Sequence, residues 1–246
     1  MLRFPTCIAF LFLLFLSSVS AYAQDDNASS YVQLIKAKKK RKQNKQKPKP
    51  LQPAPSQANL PEPYRSVPLM PFNPGGWYSN ASQIEALFKT NKINVAIEVG
   101  CWLGLSTRHI ARILPSGGKL YAVDHWQGSI EHQASPELST LYEQFLSNVV
   151  HAGLTHVITP MKMSSLEAAE QMKLMGIIPD FIYIDASHDT ESVLADLEAW
   201  FPFVKGHGII CGDDWTWDGV STAVKRFAQE HGLTIDASNN FWRLVE

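Results

Sequence analysis

Five acidic residues stand at or just past the ends of apolar runs in this 246-residue chain: Glu98, Asp124, Asp185, Asp213 and Asp214. Carboxylates with a purely structural role would be scattered along exposed helix faces. Carboxylates gathered at run ends are placed for chemistry. One such group can accept two hydrogen bonds from the diol of a ribose. Three of them brought close together repel and rise in pKa. A hard divalent cation relieves that repulsion, and all-oxygen ligation favours Mg²⁺ or Ca²⁺ over Zn²⁺. Asp185, Asp213 and Asp214 are the candidate cation ligands, with helix capping by Asp213 or Asp214 as the alternative. His188 follows Asp185 by three positions. Its imidazole, with a reference pKa of about 6.5, suits a general base at neutral pH. It could instead cap a helix beginning near Thr190 or order the ligand shell.

A glycine-containing loop, Glu98-Val99-Gly100-Cys101-Trp102-Leu103-Gly104-Leu105-Ser106-Thr107, follows the first of these apolar runs. Gly100 permits a sharp turn and close approach of a ligand to the backbone, and Gly104 begins a helix whose amides face the cleft. Asp124 lies 24 positions beyond Gly100. The spacing G-x-x-x-G lacks the middle glycine that lets a backbone approach a pyrophosphate, so a nucleoside without pyrophosphate fits better than a dinucleotide.

The elements that must position these groups alternate from residue 82 onward. Strands are expected at 93–99, 119–124, 156–159, 181–185 and 208–211, with helices near 105–114, 136–150, 164–174, 190–200 and 220–231. Ser164 and Glu167 have capping-box spacing at the start of the third helix. Two closing strands flank a turn at 236–240. Alternation of strand and helix implies an α/β, Rossmann-like, doubly wound and mostly parallel sheet with helices on both faces. Seven strands are expected, the last antiparallel. Ligands of such sheets bind beyond the carboxyl ends of the strands, where the five acids stand.

The block Glu98 to Thr107 resembles the first motif of class I S-adenosylmethionine-dependent methyltransferases, and Val123-Asp124-His125-Trp126-Gln127-Gly128-Ser129 resembles their second. The latter, with Glu131-His132, is similar to methyltransferase family 24 and the macrocin O-methyltransferase group. The resemblance covers roughly 93–245. It implies a cofactor, S-adenosylmethionine, bound by a set that includes Glu98. Gly100, Gly104, Ser106 and Thr107 would line its methionine part, and Asp124 would hold the ribose. His125 or Trp126 would lie near the adenine, with Ser164 at the adenine edge; for Trp126 core packing is the alternative. It also implies Mg²⁺ on Asp185, Asp213 and Asp214. His188 stands where catechol-type enzymes carry a lysine base. The acceptor would be a small hydroxylated molecule, a sugar or a phenol, and Trp215 and Trp217 would wall its pocket or pack in the core. Two other readings stay open: a hydroxylase-like enzyme on the same scaffold, or an envelope-located binding module.

The rest of the chain sets compartment and partners. Arg3, the apolar stretch Cys7 to Leu16 and Ala21-Tyr22-Ala23 before Gln24 form a secretory signal peptide over 1–23, or an uncleaved membrane anchor. The first implies an exported or envelope-associated protein, the second a membrane-anchored domain facing the cytoplasm. Residues 24–81 are expected to be a disordered linker. Nine of the 22 Lys and Arg residues fall within 36–49, a Pro-rich stretch follows, and contact with an anionic membrane surface is one role for that basic run. Beyond residue 50 there are 12 basic residues against 21 acidic ones. A domain of net charge −9 is ill suited to gripping a phosphate backbone, so nucleic acid is not the expected substrate. Cys101 and Cys211 are expected on strands separated by a third, too far apart for a disulfide.

Overall fold

The computed structural model describes residues 57–129, 132 and 135–246. The leader, the basic run and most of the expected linker lie outside the described residues. The elements are α1 (Ala81–Thr90), β1 (Val95–Val99), α2 (Leu105–Ile113), β2 (Lys119–Asp124), α3 (Leu141–Ala152), β3 (Ile158–Lys162), α4 (Ser165–Leu174), β4 (Phe181–Ile184), α5 (Thr190–Trp200), β5 (Ile209–Gly212), α6 (Asp218–His231), β6 (Thr234–Ser238) and β7 (Phe241–Val245). One seven-stranded sheet runs in the order β3-β2-β1-β4-β5-β7-β6. The first five strands are parallel, and β7 is antiparallel to both β5 and β6. The expected fold class holds.

Strand alternation divides the core. Ala96, Leu120, Ala122, Phe181, Tyr183 and Cys211 face a cluster with α1, α2 and α3. Ile97, Val99, Val123, Ile182 and Ile184 face α4, α5 and α6. The same period-two rule places Glu98, Asp124, Asp185 and Asp213 in step with the first face. Their convergence is therefore a consequence of register: Glu98 sits opposite Ala122 and Tyr183, and Asp124 opposite Lys162. Cys101 and Cys211 are free and buried, as expected.

Three boundaries differ from the sequence reading. Strand β3 starts two residues later than expected and runs on through Pro160. Proline is tolerated because β3 is the outermost strand. Its ladder uses alternate donors such as the Met163 N–H to the Asp124 carbonyl, which leaves the Pro160 nitrogen on the open edge. The helix expected from Pro136 opens as a 3₁₀ turn, Pro136–Thr140, before α3. The third difference is the linker, whose expected end at residue 81 is too late. Leu60, Tyr64 and Val67 are buried against the first face of the core, and α1 was not foreseen. Tyr64 donates its hydroxyl to the Ile158 carbonyl at 2.9 Å, capping part of the open edge of β3.

A polar stripe of α3 ties down the next stretch. Gln144 Nε2 donates to the Pro71 carbonyl at 2.9 Å. Ser147 Oγ accepts from the Met70 N–H, and Asn148 Oδ1 from the Asn73 N–H, each at 2.9 Å. His151 Nε2 meets the Met70 carbonyl at 2.8 Å. These four lie on one helix face at i, i+3, i+4 and i+7. Residues 58–80 thus form a strap bonded to the domain.

Candidate active site

A cavity of about 850 Å³ opens beyond the carboxyl ends of the parallel strands. The β1 loop forms its floor. Gly100 has φ +85°, and a side-chain carbon there would stand 1.9 Å from the Asp185 carbonyl oxygen, so only glycine fits. Gly104, at φ 78°, begins α2 with its bare Cα against the Phe145 ring.

Asp124 organises that loop. One carboxylate oxygen accepts from the Cys101 N–H at 2.9 Å and the Trp102 N–H at 3.0 Å. The other accepts from the Trp126 N–H at 2.6 Å. Trp102 and Trp126 both hold positive φ, 48° and 53°. Such conformations cost about 1–3 kcal/mol each for non-glycine residues, and the shared carboxylate offsets that cost. A carboxylate offers about four acceptor sites; three are taken, so Asp124 keeps about one for a ligand hydroxyl while clamping the wall around it.

The expected cofactor residues separate into two sets. Gly100, Ser106, Asp124, His125 and Ser164 line the cavity. Glu98, Gly104, Thr107 and Trp126 stand behind its wall. Trp126 is buried, packs on Tyr142 and Phe145 with ring centroids 4.7 and 4.8 Å away, and donates its Nε1–H to the Trp102 carbonyl. Its side chain belongs to the core rather than to an adenine contact, because the positive φ turns it inward. Glu98 is fully buried, and neither carboxylate oxygen has a well-formed hydrogen bond. Burial pushes its pKa up to about 7, tempered by Ser106 and Thr107 alongside. Ser164 closes the expected capping box with Glu167 and still borders the cavity.

At the other end, Asp185, Ser187, His188, Asp214 and Trp217 line the cavity. His188 Nε2 lies 2.9 Å from Asp214 Oδ2, and its ring stacks on Trp217 at 4.4 Å between centroids. The backbone behind His188 is held by α6, where a side chain at Gly219 would strike the His188 carbonyl.

Asp185, Asp213 and Asp214 surround a separate void of about 10 Å³, room for one water or ion. Burial and the neighbouring acids hold Asp185 well above the usual carboxylate range. Burial likewise raises Asp213. This all-oxygen, mutually repelling donor set fits a hard divalent cation in charge and chemistry. The ligand geometry expected from the sequence is not formed: among the described residues no three His, Cys, Asp or Glu side chains are arranged to hold a metal. These carboxylates have protein partners. Asp213 Oδ2 accepts from the Tyr183 hydroxyl at 3.0 Å, its Oδ1 from the Asp214 N–H at 2.8 Å, and Asp214 faces His188. Each of these contacts takes one acceptor site of its oxygen and leaves another.

Several lining residues were not foreseen. Trp77 and His132 stack at 5.8 Å over Trp102 on the strap side. Ser165, Ser192 and Asp196 line the side near β3. Only Asp196 left a signal: it shares the i, i+3, i+4, i+7 face of Val193, Leu197 and Trp200, an acid within an apolar stripe.

A sheet of this order, with a glycine loop after β1 and an acid closing β2, is the architecture of class I methyltransferases. Residues 97–215 match the methyltransferase domain of methyltransferase family 24. An inferred caffeoyl-CoA O-methyltransferase of Arabidopsis thaliana is 28% identical over 164 residues, 63% of this chain. The chain spans 65% of that relative's length, just under two thirds. An O-methyltransferase from Bacillus cereus, solved with S-adenosylhomocysteine, superposes with a TM-score of 0.54 at 18% identity, covering 92% of this chain and 94% of that one. An O-methyltransferase of tomaymycin synthesis from Streptomyces achromogenes, solved with S-adenosylmethionine, gives 0.55 at 15% identity over 69% of this chain and 80% of that one. Over residues 97–215 the chain is thus similar to methyltransferase family 24, and its fold is that of the solved O-methyltransferases.

Proposed function

We propose that the protein transfers the methyl group of S-adenosylmethionine to a hydroxyl oxygen of a small acceptor, a phenol or a sugar. The observation that carries this reading is the single cavity with the Asp124-clamped glycine loop at one end and His188 with Asp214 at the other. The Gly100 and Ser106 side receives the methionine part, Asp124 a ribose hydroxyl, and His125 and Ser164 border the adenine. The relatives' O-methyltransferase names support oxygen as the acceptor atom.

The sulfonium is already activated, so the chain supplies alignment and a proton acceptor. Alignment of two bound reactants contributes several kcal/mol. The acceptor oxygen attacks the methyl carbon, the sulfur–methyl bond breaks, and S-adenosylhomocysteine leaves as a neutral thioether. His188 takes the hydroxyl proton, and Asp214 Oδ2, 2.9 Å from its Nε2, orients the ring and stabilises the imidazolium. Trp217 stacks on that ring and shields it from water. Asp185, Asp213 and Asp214 would hold a divalent cation, Mg²⁺ by charge and donor type, which when bound lowers the pKa of a ligated hydroxyl. A cleaved leader would export the domain or leave it envelope-associated, and an uncleaved one would anchor it facing the cytoplasm; N-terminal sequencing of native protein decides which.

Methyl transfer from labelled S-adenosylmethionine to a panel of phenols and sugars, with Mg²⁺ and with chelator, tests the reading. Label in an acceptor product supports it, and loss with chelator supports the cation. No product from any acceptor, by a chain that also fails to bind the cofactor, removes it.

A further inference from the structure

The polar lining of the cavity falls into two groups on either side of Asp124. On one side stand His188 and Asp214, where transfer occurs. On the other, toward the outermost strand β3, are Ser164 and Ser165 at the start of α4 and Ser192 and Asp196 on α5. A nucleoside held by its ribose at Asp124 points its two ends in opposite directions. Its sulfonium must reach the His188 side, so its base extends to the Ser165 and Asp196 side.

Asp196 is a costly residue to keep there. It is 6% exposed, and an isolated buried carboxylate is strongly disfavoured. A hydrogen bond with Ser165 is its support, while burial and nearby Asp189 hold its pKa up at about 6. Ser165 is itself fixed, accepting the Trp200 Nε1–H at 2.8 Å. One hydroxyl leaves most of a carboxylate's acceptor sites free. The complementary ligand group is therefore a donor, and an adenine offers one: an exocyclic amine with two N–H bonds.

We propose that Asp196 accepts a hydrogen bond from the adenine amine of the cofactor and thereby discriminates an amino-purine from an oxo-purine. This rests on the S-adenosylmethionine reading above and adds a specificity residue to it. A site built to bind a donor rejects a ligand that presents an acceptor there, because the buried carboxylate is left facing an oxygen.

Calorimetry of the full chain with S-adenosylhomocysteine and its 6-oxo analogue, S-inosylhomocysteine, tests the assignment. Wild type prefers the adenosyl ligand by at least about tenfold. In Asp196→Asn, whose amide both accepts and donates, the two affinities come within about threefold of one another. An unchanged ratio in Asp196→Asn, with S-adenosylhomocysteine still bound, overturns the role of Asp196 and leaves the cofactor reading standing. Failure of wild type to bind S-adenosylhomocysteine sinks both. Should circular dichroism show Asp196→Asn unfolded, Ser165→Ala replaces it: loss of the fixed hydroxyl must shrink the preference, and an unchanged preference overturns the proposal.

Discussion

The rim residues Gly100, Asp124, Asp185 and Asp214 owe their places to strand ends, whereas the strap over 58–80 owes its place to side chains reaching from α3 and β3. At the rim, register and period-two alternation suffice to bring distant acids together. Along the strap there is no repeating pattern. It is held by Gln144, Ser147, Asn148 and His151 on one face of α3 and by the Tyr64 hydroxyl on the Ile158 carbonyl. On the proposed reading the difference separates function by region: rim substitutions are expected to strike cofactor binding and chemistry, and strap substitutions stability.

Substitution tests that division, beginning with the largest effect. His188→Ala is expected to lower kcat by about 10²–10⁴-fold while S-adenosylhomocysteine affinity stays within about twofold; equal loss of both would make His188 a packing residue. Glu98→Gln probes the floor of the rim. In the wild type the unfolded chain ionises near pH 4.5, but the fold holds the proton up to about 7. Stability contributed by the protonated form is intact below 4.5, falls as pH rises through that window, and is missing above it. The deficit is about 3 kcal/mol. Urea melts at pH 5 and pH 8 should show this fall shrinking in Glu98→Gln; the same slope in both proteins would mean the carboxyl is not titrating there.

On the strap, Tyr64→Phe leaves the Ile158 carbonyl without its donor and is expected to cost about 1–2 kcal/mol in denaturant unfolding, with cofactor affinity unchanged. A change in affinity without a change in stability would erase the distinction between the regions.

The same division explains what the sequence allowed to be read. Fold class, strand ends and the candidate acids were legible because continuous apolar runs such as Phe181–Ile184 mark buried parallel strands. Ser164 was legible as a cap because its spacing to Glu167 is a local rule. The strap was not, since Gln144, Ser147 and Asn148 are polar residues buried to bond another segment's backbone, and polar helix faces normally face water. Pro160 hid part of β3, because edge position, which excuses a proline, is a property of the sheet and not of the strand. The inward turn of Trp126 depends on its positive φ, and the hydrogen bond from the Tyr183 hydroxyl to Asp213 is a tertiary contact; neither leaves a mark in one sequence.

The most direct test of one cavity serving both cofactor and base is titration of S-adenosylhomocysteine into wild type, His188→Ala and Asp124→Ala. Micromolar binding by the first two, with Asp124→Ala weakened by about 100-fold or more, is the expected result. Wild-type affinity in a folded Asp124→Ala would contradict it.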